Sequence, residues 1–277
     1  GTFINFRFIF LFLGIFFSYS IHIISRGFII KQNSGKKMQN NSSDFLDESS
    51  YLSLMLPWLN TLPRYLRSAS FEPALSYYGL GDSAHWSVQS NMNIFASLAV
   101  MATSAAFPEK EAGFSREEII NTALSLLRYS LATHLTGNKK AIDGKQWGCH
   151  WISVLGMERM AHGIDAIKEY LTDEDQEALR KIMLAESDWR LDHFEPVAGM
   201  VGAEGNNKPE SNIWNGAVLL RSAIEYPDSA RVEEYLEKAA LYLLNGLSHP
   251  LDAASEKKYR SKELRKWHIG FNFTPNW

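Results

Sequence analysis

The connections between the predicted helices alternate between two kinds, and this alternation constrains the fold more than any single segment does. Apolar stretches of about 16 to 22 residues predict long helices. Short turns with acidic caps, as at Ser115–Glu118 and Thr172–Asp175, join some of them. Long segments rich in Trp, His, Asn and Gly join the others. Stacked helical hairpins would bring all the short turns to one end and all the long loops to the other.

This order predicts an all-α protein whose antiparallel helical hairpins form an incomplete (α/α) toroid. No segment shows a convincing period-two alternation, which disfavours βαβ folds. A TPR or HEAT solenoid would show a recurrent consensus spacing, which the sequence lacks. The chain stops at Trp277, in a polar and aromatic stretch with no helix after it. We therefore expect residues 38–277 to be a toroid domain of catalytic type, truncated at its C-terminus.

Residues 1–37 form a hydrophobic extension that differs from the rest of the chain. Residues 8–25 carry no formal charge and are about long enough to cross a bilayer, and Phe3–Ile30 also resembles a signal-peptide core. However, the chain opens with Gly1, and Met38 begins a polar stretch that needs no anchor. A genuine signal or anchor predicts a periplasmic or secreted protein with a membrane contact. Translation of DNA upstream of a true start at Met38 predicts a cytoplasmic one.

Composition excludes several classes of function. A net charge of -3 in 277 residues disfavours nucleic acid as a partner. A single cysteine, Cys149, excludes an intrachain disulfide and a Cys-rich metal site; we expect a small buried thiol there rather than a nucleophile. No phosphate loop, dinucleotide fingerprint or zinc-protease motif occurs. We predict no cofactor, although a divalent metal ion stays an open alternative.

The stretch 202–216 concentrates the polar chemistry of the chain around the start of one helix. Pro209 suits the first helical position, and Glu210 follows it near the positive end of the helix dipole. Amides bind hydroxyl groups in fixed directions, and aromatic rings offer flat apolar faces to sugars, so the stretch predicts a carbohydrate site. Its other candidate side chains are Glu204, Asn206, Asn207, Asn212, Trp214 and Asn215.

Three further segments share this mixture of aromatic and polar residues. Apart from His85, His150 and His268, we expect the histidines, including His134 and His162, to be structural. We expect Trp58 and Trp189 to lie in the core. The candidates in the three segments are Tyr77, Tyr78, Asp82, His85 and Trp86 in the first, Trp147, His150 and Trp151 in the second, and His268 and Asn272 in the last.

Two sugar chemistries fit these residues. Elimination from a uronic acid needs a group that neutralises the carboxylate, a base that removes the C5 proton and an acid for the leaving group. The base is His150 or His85, the acid is Tyr77 or Tyr78, and the asparagines of 202–216 neutralise. Hydrolysis needs two carboxyl groups at a defined separation, supplied by Glu204 or Glu210 with Asp82. A glycan-binding domain without catalysis is the third alternative, since sequence gives no distances.

The motifs GNNKPESNIWN at 205–215 and WHIGFNFTPN at 267–276 together resemble the toroid domain of heparinase II/III-like polysaccharide lyases. They are similar, more narrowly, to bacterial enzymes that act on rhamnose linked to glucuronate. The resemblance covers roughly residues 45–277. It implies β-elimination in a uronate-containing oligo- or polysaccharide, with further catalytic groups and a β-sandwich domain beyond the toroid.

The prediction favoured by these observations is a polysaccharide lyase with a site at the loop-bearing end. His150 is the predicted base and Tyr78 the acid, while Asn207 and Glu210 complete the catalytic set. The predicted substrate-binding residues are His85, Trp86, Trp147, Trp151, Asn206, Asn212, Trp214, Asn215 and Asn272.

Overall fold

The computed structural model describes residues 48–71, 74–77, 86–196, 199–200 and 209–247. Within this part the chain is mostly helical, at 72% of residues, which confirms the helical part of the predicted fold class. The helices are α1 Glu48–Thr61, α2 Trp86–Thr103, α3 Glu109–Ala112, α4 Arg116–Thr133, α5 Ser153–Ala166, α6 Asp173–His193, α7 Pro209–Glu225 and α8 Val232–Leu247.

Two short antiparallel ribbons interrupt the helices. Strands β1 (Leu66–Ser68) and β2 (Leu75–Tyr77) pair in the segment that the sequence predicts as loop, and β3 (Phe194–Glu195) pairs with β4 (Gly199–Met200). The loop prediction for the first segment is therefore wrong in part. Strands of two or three residues are too short to produce a period-two pattern, so periodicity does not reveal them.

The predicted cap residues begin two of the long helices. The Ser115 side chain accepts from the Glu118 N–H while the Glu118 carboxylate accepts from the Ser115 N–H, so α4 starts with a capping box. Thr172 and Asp175 form the same reciprocal pair at the start of α6. Both predictions are confirmed.

Apolar residues between Asp44 and Leu66 predict a first helix that Pro57 and Pro63 break. At Pro57 this prediction is wrong, because α1 runs through it to Thr61. Leu52 and Leu59, on either side of the proline, are both buried against the core. Their packing outweighs the one backbone hydrogen bond that proline removes. Pro63 lies instead in the 3-10 turn Leu62–Tyr65 that follows, near its first position, where no N–H is needed.

Helix α2 lies at the centre of the main core and packs closely against α5. Two glycines of α5 make this approach possible. A Cβ atom on Gly156 would collide with Met92, and one on Gly163 would collide with Phe95. Residue numbers rise together along the two helices at these contacts, so α2 and α5 run parallel.

Helix α4 runs antiparallel to α2. The amide Nδ2 of Asn91, early in α2, donates to the Leu126 carbonyl of α4 at 2.8 Å. At the other end Arg116, the first residue of α4, donates to the Ala102 carbonyl of α2 at 2.7 Å. Asn91 is fully buried, so this bond satisfies an amide that would otherwise be costly in the core.

Side-chain contacts show how the remaining long helices run relative to one another. Helix α6 is parallel to α4, since Asp175 meets Arg128 and Glu186 meets His134. Helix α7 is antiparallel to α6, because Ser187 bonds Ser222 while Arg180 bonds Asp228. Helix α8 is parallel to α6, with Tyr235 on Asp188 and Tyr242 on the Phe194 carbonyl.

Helices α2, α5 and α7 therefore run in one direction, and α4, α6 and α8 run in the other. The starts of the first set and the ends of the second set lie together, at what we call the loop-bearing end. The long connection 134–152 before α5 lies at this end, and α2 and α7 also begin there. The short connections at 104–115, 167–172 and 226–231 lie at the opposite end. In the described ranges no helix is both long and apolar enough to span a membrane.

Candidate functional site

A charged hydrogen-bond network lies beneath the loop-bearing end, around Glu186 of α6. We define the Glu186 cluster as the side chains of His134, Ser153, Glu186 and Arg190 together with the backbone N–H of Cys149. Glu186 and Arg190 are four residues apart and share one helical face. Both have 0% of their surface exposed, and their nearest charged atoms are 3.5 Å apart.

The Glu186 carboxylate accepts from three donors, which come from three parts of the chain. Oε1 accepts from the Cys149 N–H at 2.5 Å and contacts His134 Nε2 at 3.2 Å. Oε2 is 2.6 Å from Ser153 Oγ, at the first turn of α5. A buried carboxylate needs partners of this kind to stay charged. The carboxylate thus joins α6 to the end of α4 and to the start of α5.

The hydrogen bonds of His134 assign its tautomer. The Thr136 N–H donates to His134 Nδ1 at 3.0 Å, so Nδ1 is an acceptor and the ring proton lies on Nε2. Nε2–H then donates to Glu186. His134 caps the end of α4 and is fully buried, as expected of a structural histidine.

The backbone at Gly148 and Cys149 adopts a left-handed conformation that presents the Cys149 N–H to Glu186. Their φ angles are +118° and +46°, and the second is unusual for a residue with a side chain. A Cβ atom on Gly148 would collide with His134 Nε2. Only glycine fits at 148, because the histidine ring lies directly against the backbone there.

Arg190 closes the cluster on its other side. Its Nη2 atom donates to the His150 carbonyl at 2.5 Å and to Ser153 Oγ at 3.0 Å. The guanidinium also lies over the rings of Trp189, at 4.4 Å, and Phe194, at 5.5 Å. Among the described residues, Nε and Nη1 of Arg190 have no hydrogen-bond partner.

These contacts set the protonation of the cluster. Burial by itself would raise the pKa of Glu186, but the hydrogen bond from His134 and the charge of Arg190 outweigh it, and the pKa lies below its usual value. Burial, and after it the negative charge of Glu186, raises the pKa of the Cys149 thiol to about 11. A carboxylate held in this way accepts hydrogen bonds and positions groups, and the thiol is a poor nucleophile.

His150, the predicted base, follows this strained backbone and lies beside Trp151. Its ring is 6.0 Å from the Trp151 ring, and both residues are half-buried. The backbone of His150 bonds Ser153 and Arg190, so the residue is attached directly to the Glu186 cluster. The structure therefore brings His150 and Trp151 together at the loop-bearing end.

The structure does not support the predicted stacking role of Trp147. The indole is 1% exposed, and its N–H donates to the Ser130 carbonyl at 2.8 Å. One edge packs against the His134 ring at 4.5 Å. The ring faces lie inside the core because the loop that carries Trp147 folds back along α4, so we correct its role to packing.

Three of the predicted binding residues lie on α7. Asn212 and Asn215 are buried, and Trp214 is partly buried against the main core. Asn215 is 0% exposed, and in the described part of the chain neither Oδ1 nor Nδ2 has a hydrogen-bond partner. A buried amide without partners is rare in folded proteins, and its donor and acceptor are both available to bind a polar group.

The other predicted site residues are described in part or not at all. For two of them, Trp86 and Glu210, the backbone is described as helix and the side chain is not. Those that fall wholly outside the described residues are Tyr78, His85, Asn206, Asn207 and Asn272.

Sequence reasoning missed Glu186, Arg190 and Ser153. A signal was present, since Glu186 and Arg190 lie on the same helical face as the buried α6 positions Leu179 and Met183, at successive steps of four, three and four residues. Charged residues on the buried face of a helix indicate an internal network. In the described segments, no group of three or more His, Cys, Asp or Glu side chains is placed to hold a metal ion.

The chain is thus mostly helical, and a buried network of charged side chains lies beneath its loop-bearing end. No protein-family model, curated protein sequence or solved structure matches this chain.

Proposed function

We propose that this protein is a carbohydrate-active enzyme that cleaves uronate-containing oligo- or polysaccharides by β-elimination. Its helical hairpins would form part of an (α/α) toroid, with the site at the loop-bearing end. The two sets of parallel helices support the toroid. The observation that carries the functional proposal is the buried amide of Asn215, which has no hydrogen-bond partner among the described residues.

The amide of Asn215 has a clear energetic cost in the absence of a ligand. Burying its donor and acceptor without partners costs on the order of 1–3 kcal/mol for each group. A sugar hydroxyl can supply both a donor and an acceptor, and a uronate carboxylate can accept from Nδ2. The same helix begins with Pro209 and Glu210, beside the segment that contains Asn206 and Asn207. Ligand binding near the start of α7 would therefore offset the cost at Asn215.

The proposed roles follow from the groups that β-elimination requires. His150 would remove the C5 proton and Tyr78 would protonate the leaving oxygen. Asn207 would donate to the uronate carboxylate and stabilise the charge that develops there as the proton leaves, and Glu210 would help to bind the sugar by accepting from its hydroxyl groups. His150 sits on the backbone that the Glu186 cluster holds, which gives a base the fixed geometry that proton abstraction requires.

The direct test measures the conjugated double bond that elimination creates. The full chain is incubated with a panel of uronate-containing glycans, and the ultraviolet absorbance of an unsaturated uronate is followed. The proposal predicts absorbance from at least one glycan and none with His150→Ala. New reducing ends without absorbance would identify a hydrolase instead. Binding without turnover, unchanged in His150→Ala, would identify a glycan-binding protein.

Asn215→Leu separates a ligand-binding role from a structural one. The leucine has a similar shape and no unsatisfied polar groups, so we expect a higher melting temperature together with lost turnover. Asn121→Leu is the matched control, because Asn121 is exposed on α4 near the opposite end. A lower melting temperature for Asn215→Leu would show that the amide stabilises the fold and would remove this support.

A further inference from the structure

The two peptide groups that flank the Cα atom of His150 are both hydrogen-bonded to the cluster. The His150 N–H donates to Ser153 Oγ at 3.3 Å, and the His150 carbonyl accepts from Arg190 Nη2 at 2.5 Å. The preceding N–H, that of Cys149, donates to Glu186 at 2.5 Å. Backbone dihedral angles fixed on both sides of a residue also fix the direction of its Cα–Cβ bond.

From this geometry we infer that Glu186 and Arg190 are positioning residues that set the direction of the His150 side chain. Neither contacts the His150 ring through a described hydrogen bond. Each acts through the backbone. Glu186 accepts from the N–H of Cys149, one residue before His150, and Arg190 donates to the carbonyl of His150 itself. The inference rests on the proposed function for the reaction that His150 performs, while the positioning itself is a property of the fold.

The ion pair is a costly way to fill space, which argues for a role beyond packing. Transferring two charges into the interior carries a desolvation penalty that apolar residues of similar volume avoid. The contact between the two charges lies within a single helix, so that contact by itself does not join α6 to another element. The bonds that reach outward from it end on Cys149, His150, Ser153 and His134. Three of these four residues lie in the short segment around His150.

The double variant Glu186→Leu with Arg190→Met removes both charges and approximately keeps the volume. Because no charge is left unpaired, we expect it to fold, as judged by circular dichroism and thermal melting. Amide hydrogen exchange at Cys149 should rise by at least about tenfold, because its buried acceptor, Glu186, is gone. Exchange at His150 should also rise, because its acceptor, Ser153 Oγ, loses its bonds to both Glu186 and Arg190. In the lyase assay, kcat should fall by about ten- to a hundredfold while KM stays within about twofold. The matched control is Arg180→Met with Asp228→Leu, an exposed pair at the opposite end of α6, which should change none of these values.

Each outcome decides the inference. Unchanged exchange at Cys149 and His150 would overturn it, as would faster exchange with an unchanged kcat. If the parent protein releases no unsaturated uronate, the proposed function fails. Amide hydrogen exchange at Cys149 and His150 still decides whether Glu186 and Arg190 fix the backbone of this segment. If the double variant does not fold, Glu186→Gln takes its place. Its exchange at Cys149 must then rise more than at Leu126 in the core, or the inference is overturned.

Discussion

Arg128 of α4 and Asp175 of α6 form a two-point ion pair between neighbouring parallel helices. The guanidinium Nε and Nη2 atoms lie 3.1 and 2.8 Å from Oδ1 and Oδ2 of the carboxylate. Asp175 also accepts from the Thr172 N–H, so the same side chain completes the capping box of α6. One buried carboxylate therefore starts a helix and fixes its position against the next.

Asp175→Ala should destabilise the fold by about 2–3 kcal/mol, since it removes both a cap and a two-point ion pair. The midpoint of urea unfolding measures this change. Asp173→Ala is the control, because Asp173 is exposed in the same helical turn and interacts with the helix dipole alone. It should cost about 0.3–1 kcal/mol. Equal losses in the two variants would contradict the double role of Asp175.

Gly148→Ala should destabilise the protein by about 2–4 kcal/mol, because the new methyl group meets His134 Nε2 and the φ angle is positive. Gly144→Ala provides the comparison. Its φ angle is also positive, at +74°, but nothing lies within 4 Å of the new methyl group. We expect a loss of about 1 kcal/mol there. Thermal melting of both variants measures the difference, and similar losses would show that strain alone, without the collision, governs position 148.

Acid should destabilise the protein partly through Glu186. Its pKa in the folded protein is below the ordinary value of 4.5, because bonds from His134 and the charge of Arg190 outweigh the effect of burial. The unfolded chain therefore binds the proton more readily. The stability that Glu186 contributes is complete above the unfolded pKa and is lost as the pH falls through the folded one.

Urea unfolding midpoints between about pH 7 and about pH 3 measure this dependence. Glu186→Gln should lose about 3–5 kcal/mol near neutral pH, since it leaves Arg190 buried and uncompensated. It should also lose less stability than the parent on acidification. An equal loss of stability on acidification in the two proteins would show that other carboxylates, such as Asp192 and Asp228, cause the loss at low pH.

Cys149 should react slowly with thiol reagents in the folded protein. Burial and the nearby Glu186 raise the pKa of the thiol from 9.0 to about 11, which lowers the thiolate fraction about a hundredfold near neutral pH. Alkylation by iodoacetamide, followed by mass spectrometry, should be about a hundredfold slower than in urea-unfolded protein. Rapid alkylation of the folded chain would instead indicate an activated cysteine. Since Cys149 is the only cysteine, no second site confuses the measurement.

Local sequence signals predicted the parts of the fold that depend on local physics. The boxes at Ser115 and Thr172 are confirmed because a cap needs only residues three positions apart. Pro209 begins α7 as expected, since proline loses no hydrogen bond there. Pro57 was misjudged because its cost is balanced by distant core contacts of α1.

The candidate site was predictable only in part. The sequence pointed to the His150 segment through its composition, but the same reasoning placed Trp147 on a surface where the structure buries it. Local composition cannot show whether a side chain is buried. The burial of Trp147 depends on how its loop folds back along α4. Glu186 and Arg190 escaped notice because charged residues four apart on a helix usually form exposed pairs.

The sequence by itself determined that this chain is mostly helical, where most of its helices begin, and that its polar aromatic segments alternate with short turns. Those features follow from periodicity and capping, which act over a few residues. Only the tertiary structure decided that His134, Ser153, Glu186 and Arg190 meet in one buried network, and that Asn215 is enclosed with no partner in the described part of the chain. His134 and Glu186, which are in contact, lie 52 positions apart in the sequence. Their meeting depends on the directions in which whole helices pack, which no local pattern encodes.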